Sequence, residues 1–183
     1  SGGQGRYLFA NAQGEVFAVY VPAARVIGTN RYALSSRHTQ NLDFVPGLIG
    51  YWNLNKVSDD TYFADLADRV GLTSQTTLPR EGGLAYASGP WQLLARAQAF
   101  QTLQDPAAPQ PVPYNRVPQA LVTLQELDWN GLTFAGIGEY AYFRQPTLTT
   151  GRRVYAWPTV AWERQGAAWS VVARTGAHVR EYD

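Results

Sequence analysis

The side chains best placed to meet a ligand are Glu139, Tyr155, Trp157 and Arg174. Turn signals centred on Asn130-Gly131, near Leu148 and on Gln165-Gly166 would fold the chain after Gln119 into an antiparallel meander. In that register Glu139 faces Trp157 and Trp157 faces Arg174, on three adjacent strands. A carboxylate and a guanidinium beside aromatic planes can orient a sugar or a peptide. The same row also serves as plain cross-strand pairing, with Arg174 stacked on the indole. The expected site is therefore ligand-binding, with Tyr155 beside Trp157.

Acid–base chemistry is the other option. Glu126, Asp128, Glu139 and Glu163 share the expected face, and hydrolysis of a glycosidic bond needs two carboxylates flanking it. The histidines are His38, in an apparent polar loop over Ser35 to Asp43, and His178, in a polar tail. Neither stands near a nucleophile elbow of the Gly-x-Ser-x-Gly kind, so no catalytic residue is assigned. Scattered carboxylates around single histidines are not a metal-ligand pattern. Without cysteine, disulfides, thiolate chemistry and Cys-ligated zinc are excluded. Gly136-Ile137-Gly138 lacks the third glycine of a dinucleotide fingerprint and sits inside a strand, where glycine permits a bulge or a close approach. No cofactor is expected.

The meander sorts residues by parity. One face collects Leu121, Leu127, Trp129, Leu132, Phe134, Tyr140, Tyr142, Val154, Val160, Trp162, Trp169 and Val171, and reads as a core face. The other carries the candidate site with Asp128, Thr133, Arg153, Glu163 and Ser170. A one-residue slip at any turn would exchange the faces.

Upstream, Arg6 to Ala10 and Glu15 to Val21 read as a hairpin around Asn11-Ala12-Gln13-Gly14. Arg25 to Leu34 reads as a strand, and so does Leu48 to Leu54. Gly47-Leu48-Ile49-Gly50-Tyr51-Trp52-Asn53-Leu54 resembles the opening strand of laminin-G-like lectin domains over those eight residues, which carries no function with it. Two helices are expected at mid-chain. Asp59 to Val70 has Ser58 as N-cap and Phe63, Leu66, Ala67 and Val70 at helical spacing. Pro90 to Gln104 has Pro90 at the first position and Leu93, Leu94, Ala97 and Phe100 as its stripe. Asp105 to Pro118, with five prolines, reads as an extended connector or an arm that reaches a neighbour.

These elements give a single α+β domain over residues 1–183: an N-terminal hairpin and a C-terminal four-stranded meander packed on two helices. The order of elements resembles PAS and profilin-like folds. The chain has 183 residues, 45% hydrophobic and 16% charged, with a net charge of +1. That balance argues against a nucleic-acid partner, and no apolar run reaches the roughly 18 residues of a membrane-spanning helix. The absence of Met suggests a processed or trimmed chain. The function expected first is a non-catalytic structural or interaction module of an extracellular assembly such as a filament, virion or surface layer. It would be soluble and partnered by itself or another protein subunit. A small-ligand or glycan-binding sensory domain is the alternative, and a carboxylate-pair hydrolase the second.

Overall fold

The computed structural model describes residues 1–22, 30–62, 76–105 and 108–183. The described residues are almost entirely antiparallel β-sheet. The strands are β1 (Gly2–Leu8), β2 (Ala12–Val21), β3 (Arg31–Asn41), β4 (Leu48–Val57), β5 (Thr77–Ser88), β6 (Trp91–Thr102), β7 (Asn115–Trp129), β8 (Leu132–Arg144), β9 (Gly151–Gly166), β10 (Trp169–Gly176) and β11 (Val179–Tyr182). Each strand pairs with the next, from β1 to β10, and β11 pairs with β9. Because β10 and β11 both lie along β9, they are one strand interrupted at Ala177-His178. The molecule is an up-and-down meander.

This overturns the α+β expectation. Trp91–Thr102, expected as a helix, is β6. Its Gln, Leu, Ala and Arg are good helix formers, but pairing with β5 and β7 on both sides outweighs that intrinsic preference. Its period is two: Trp91, Leu93, Ala95, Ala97 and Ala99 share one face, while Gln92, Arg96 and Gln98 share the other. Of the expected Asp59 to Val70 helix, Ser58 to Thr61 follow β4 as a bend and turn, Tyr62 is in helical conformation, and residues 63–70 lie outside the described residues. Ser35 to Asn41, read as loop, belong to β3; their polarity belongs to a strand with a polar face. Residues 25–29 of the expected Arg25 to Leu34 strand also lie outside the described residues.

Connections differ systematically between the two ends of the sheet. At one end they are short, 9–11, 42–47, 89–90, 130–131 and 167–168; at the other they run 22–30, 58–76, 103–114 and 145–150. Asn130-Gly131 forms the expected hairpin turn, with φ of 50° and 80°. This pair of left-handed residues matches the right-handed twist of the flanking strands.

Register then sorts the side chains. Following the pairings from β2 to β10, one face carries Val16, Tyr20, Leu34, Leu54, Leu84, Leu93, Val122, Phe134, Tyr140, Val154, Val160 and Val171. Most are exposed to a degree unusual for large apolar groups. The face expected to be a core is thus a continuous apolar surface. Aromatic residues mark its two rims: Tyr86, Trp91, Trp129 and Trp169 towards the short turns, and Tyr20, Tyr32 and Tyr140 towards the long connections. Some charged groups on this face lean on aromatic rings, as Lys56 does over Tyr32 at 5.8 Å and Arg164 over Trp162 at 5.8 Å, whereas Arg80, opposite Leu54, donates to Gln101 and to the Asn55 carbonyl. His38, the ionisable group further in, is bonded to the Tyr7 hydroxyl and stacked on Trp52 at 4.0 Å between centroids.

The meander partition survives with one exception. Trp129 opposes Leu132 and Leu127 opposes Phe134, as expected, but a bulge between Leu124 and Leu127 moves Leu121 to the polar face, opposite Glu139. At the later turns the pairings shift by two and four residues, which preserves the faces. The turn itself gives the first test. Gly131→Val places a β-branched side chain at a φ of 80°, so unfolding of the variant by denaturant should show a loss of about 1–2 kcal/mol, while Gly131→Asn should lose much less.

Candidate functional site

The second face of the sheet is polar and aromatic, and its charges are linked across strands. Glu15 on β2 lies 3.5 Å from Arg6 on β1 and 3.5 Å from Arg37 on β3. Arg37 reaches Asn53 on β4 at 3.5 Å. Glu81 on β5 accepts a hydrogen bond from Gln98 at 2.8 Å and lies 3.5 Å from Arg96, both on β6. Arg96 donates to Gln119 on β7 at 2.7 Å; Gln119 donates to Glu139 on β8 at 2.6 Å; and Arg153 on β9 donates to the other Glu139 oxygen at 2.7 Å. In this ladder cations and carboxylates alternate at the spacing of neighbouring strands, with Gln98 and Gln119 bridging between them. Nearer the short turns it becomes apolar, through Ile49, Leu94, Leu121 and Ile137.

Glu139, Tyr155, Trp157 and Arg174 all lie on this face, but not as the expected row. Glu139 opposes Tyr155, Trp157 opposes Ile137, and Arg174 opposes Ala161. Trp157 meets the interruption between β10 and β11 instead. There His178 stands at near right angles to Tyr155 and to Trp157, at 5.1 and 6.1 Å between centroids, and Arg180 lies over Tyr155 at 5.7 Å. Sequence reasoning placed His178 and Arg180 in a solvated tail. The available signal was Gly176, a glycine that can accommodate the indole beside an interrupted strand. The carboxylates do not gather: Glu139 is engaged by Gln119 and Arg153, Asp128 by Thr133 and Glu163 by Gln165, while Glu126 lies at the bulge. Among the described residues, no group of three His, Cys, Asp or Glu side chains could hold a metal ion.

A second cluster closes the end with long connections. The Arg31 side chain, 7% exposed, donates from Nε to Asp59 Oδ2 at 2.9 Å and from Nη2 to Oδ1, and it lies over the fully buried Tyr62 ring at 5.5 Å. Tyr62 packs with Ala33, Val57, Leu78 and Leu103. Partial burial pushes the Asp59 carboxyl up; hydrogen bonds from Arg31, Ser58 and Thr61 and the Arg31 charge outweigh that and hold it below the ordinary carboxylate value.

A meander with one apolar and one polar face, aromatic rims, and short turns opposite long connections defines a class: amphipathic up-and-down antiparallel sheets. The chain belongs to the family described as "LptD: LPS transport system D", whose model matches residues 29–183. It is 40% identical over its whole length to the LPS-assembly protein LptD of Azoarcus sp. (strain BH72), covering 23% of that protein. It is 37% identical over 97% of its length to that of Burkholderia ambifaria, covering 22%, and 32% identical over 99% to that of Bordetella parapertussis, covering 24%. The chain thus spans about a quarter of the length of these curated relatives. Membership corrects the expectation of a structural module in a filament, virion or surface layer, along with its sensory and hydrolase alternatives. The expectation of a simply soluble, extracellular chain falls with it. The length criterion for membrane-spanning helices says nothing of strands.

The Arg31–Asp59 clamp yields a prediction with a fixed sign. The depressed Asp59 pKa means that its contribution is complete above the ordinary value of about 3.9 and is lost as pH falls below that, through the folded value. Protection of the Tyr62 amide, corrected for the intrinsic pH dependence of exchange, should therefore fall only in that acid window. In Asp59→Asn it should be lower already at neutral pH, by an amount equivalent to about 1 kcal/mol, since Asp59 is 37% exposed and its charge is partly screened.

Proposed function

We propose that this segment is part of the wall of an outer-membrane β-barrel that carries lipopolysaccharide. The apolar face meets the lipid, and the polar-aromatic face lines the lumen, where it meets the glycan part of that amphiphile. The observation that carries the reading is the parity sorting: register alone sends the large exposed aliphatic groups to one face and the linked ladder from Arg6 to Arg153 to the other. A soluble protein would have to cover such an apolar surface; a bilayer covers it without a further layer of protein. The aromatic rims fit the two membrane–water boundaries, and the short turns and long connections fit the two sides of a barrel. The partners are then lipid, lipopolysaccharide and, along the wall, other protein.

The test uses the full-length protein reconstituted in bilayers, with single spin labels at Asn53→Cys and Leu54→Cys and at Val122→Cys and Thr123→Cys. Collisions with oxygen, which concentrates in lipid, should dominate at 54 and 122. Collisions with a water-soluble nickel chelate should dominate at 53 and 123. Equal accessibility across each pair would overturn the reading. Val122 lies near the middle of β7, so Val122→Arg should cost about 2–4 kcal/mol of folding stability in lipid, measured by denaturant titration of the reconstituted protein. Asn53→Gln, on the polar face, should cost far less.

A further inference from the structure

The polar face contains a large aromatic group that its own packing leaves uncovered. Trp157 is 50% exposed, although β9 has neighbours on both sides. The backbone next to it is cleared for its ring: a Cβ added at Gly176 would lie 3.2 Å from the indole Nε1 and 2.9 Å from Thr159 Cγ2. The interruption at Ala177-His178, held by a hydrogen bond from the Ala177 amide to the Pro158 carbonyl at 3.1 Å, turns the His178 ring back towards Tyr155 and Trp157. Arg180 then stands over Tyr155. The nearby Glu139 carboxylate is already bonded to Arg153 and Gln119, so Arg180 supplies the local positive charge, with Arg174 further along the same face.

We propose that Trp157, Tyr155, His178 and Arg180 form a binding subsite for an anionic sugar, a pyranose bearing a phosphate or a carboxylate. This rests on the reading of the face as the lumen wall. The chemistry is divided between two kinds of group. The negative face of an aromatic ring attracts the weakly positive C–H bonds of a pyranose, and a guanidinium grips a phosphate or carboxylate through paired N–H donors. A neutral sugar would use only the ring, and a free anion only the arginine. A site along a passage must also release its ligand, so affinity is expected to be weak. An open, one-sided platform suits that requirement better than an enclosed pocket.

The experiment uses the full-length protein in lipid nanodiscs. One probe is the phosphorylated oligosaccharide freed from lipopolysaccharide by mild acid, and the other is the same oligosaccharide made neutral by phosphatase treatment and reduction of its carboxyl groups. Binding is read by saturation-transfer NMR and titration. The wild type should bind both and prefer the phosphorylated form. Trp157→Ala should weaken both by about tenfold, whereas Arg180→Gln should abolish the preference and leave the neutral probe bound as before. Absence of binding by the wild type, or wild-type binding in both variants, overturns the subsite. The spin-label alternation at 53 and 54, measured on the same samples, separates the two failures: if it persists, only the subsite falls, and if it is lost, the wall reading falls as well. Should Trp157→Ala fail to assemble, Arg180→Gln decides alone.

Discussion

The strand-to-strand hydrogen-bond ladder governs everything else in this molecule. Its geometry permits side chains only two directions, and it ties the direction at every residue to that of its partner on the next strand. A single choice of parity at the Asn130-Gly131 turn is therefore transmitted across the sheet. The apolar surface and the charge ladder from Arg6 to Arg153 are two consequences of that one constraint. No layered core is required to fix it. The compact buried cluster around Tyr62 occupies one end of the sheet and anchors the turn after β4.

The two faces solve different problems of solvation. On the apolar face, charge is tolerated where an aromatic ring or the rim lies close, as Lys56, Arg164 and His38 illustrate. On the polar face charges are frequent, and many are bonded across neighbouring strands. Glu139 joins Gln119 and Arg153 across three strands, so removing any one of them would leave polar groups to find water. Trp157, His178 and Arg180 depart from this pattern, with a half-exposed ring and a cation beside a locally broken ladder.

The meander was legible because its turn signals are local. Asn130-Gly131 stands where its turn signal puts it, and at the later turns the pairings differ by two and four residues, which parity forgives. What could not be read were the features that depend on neighbours in space. The bulge that moves Leu121 leaves no trace in composition. The run Trp91–Thr102 contains both a helical stripe and a period of two, and only the strands beside it decide between them. Arg31 and Asp59 are joined by folding and by no motif. An alternating apolar face has the same pattern whether protein or another apolar medium covers it, so its exposure is not legible in the sequence.

The difference between the two ends of the sheet bears on how such a sequence can change length. Each doubling of a connection's length adds only about 0.6 kcal/mol of closure entropy, so the connections that join β2 to β3, β4 to β5 and β6 to β7 can change length at small cost. Within a strand, one inserted residue reverses every side chain beyond it unless a bulge absorbs the change, as the one after Leu124 does. Length variation should therefore concentrate at one rim, which makes that rim the place where the molecule can acquire new surface without disturbing its wall.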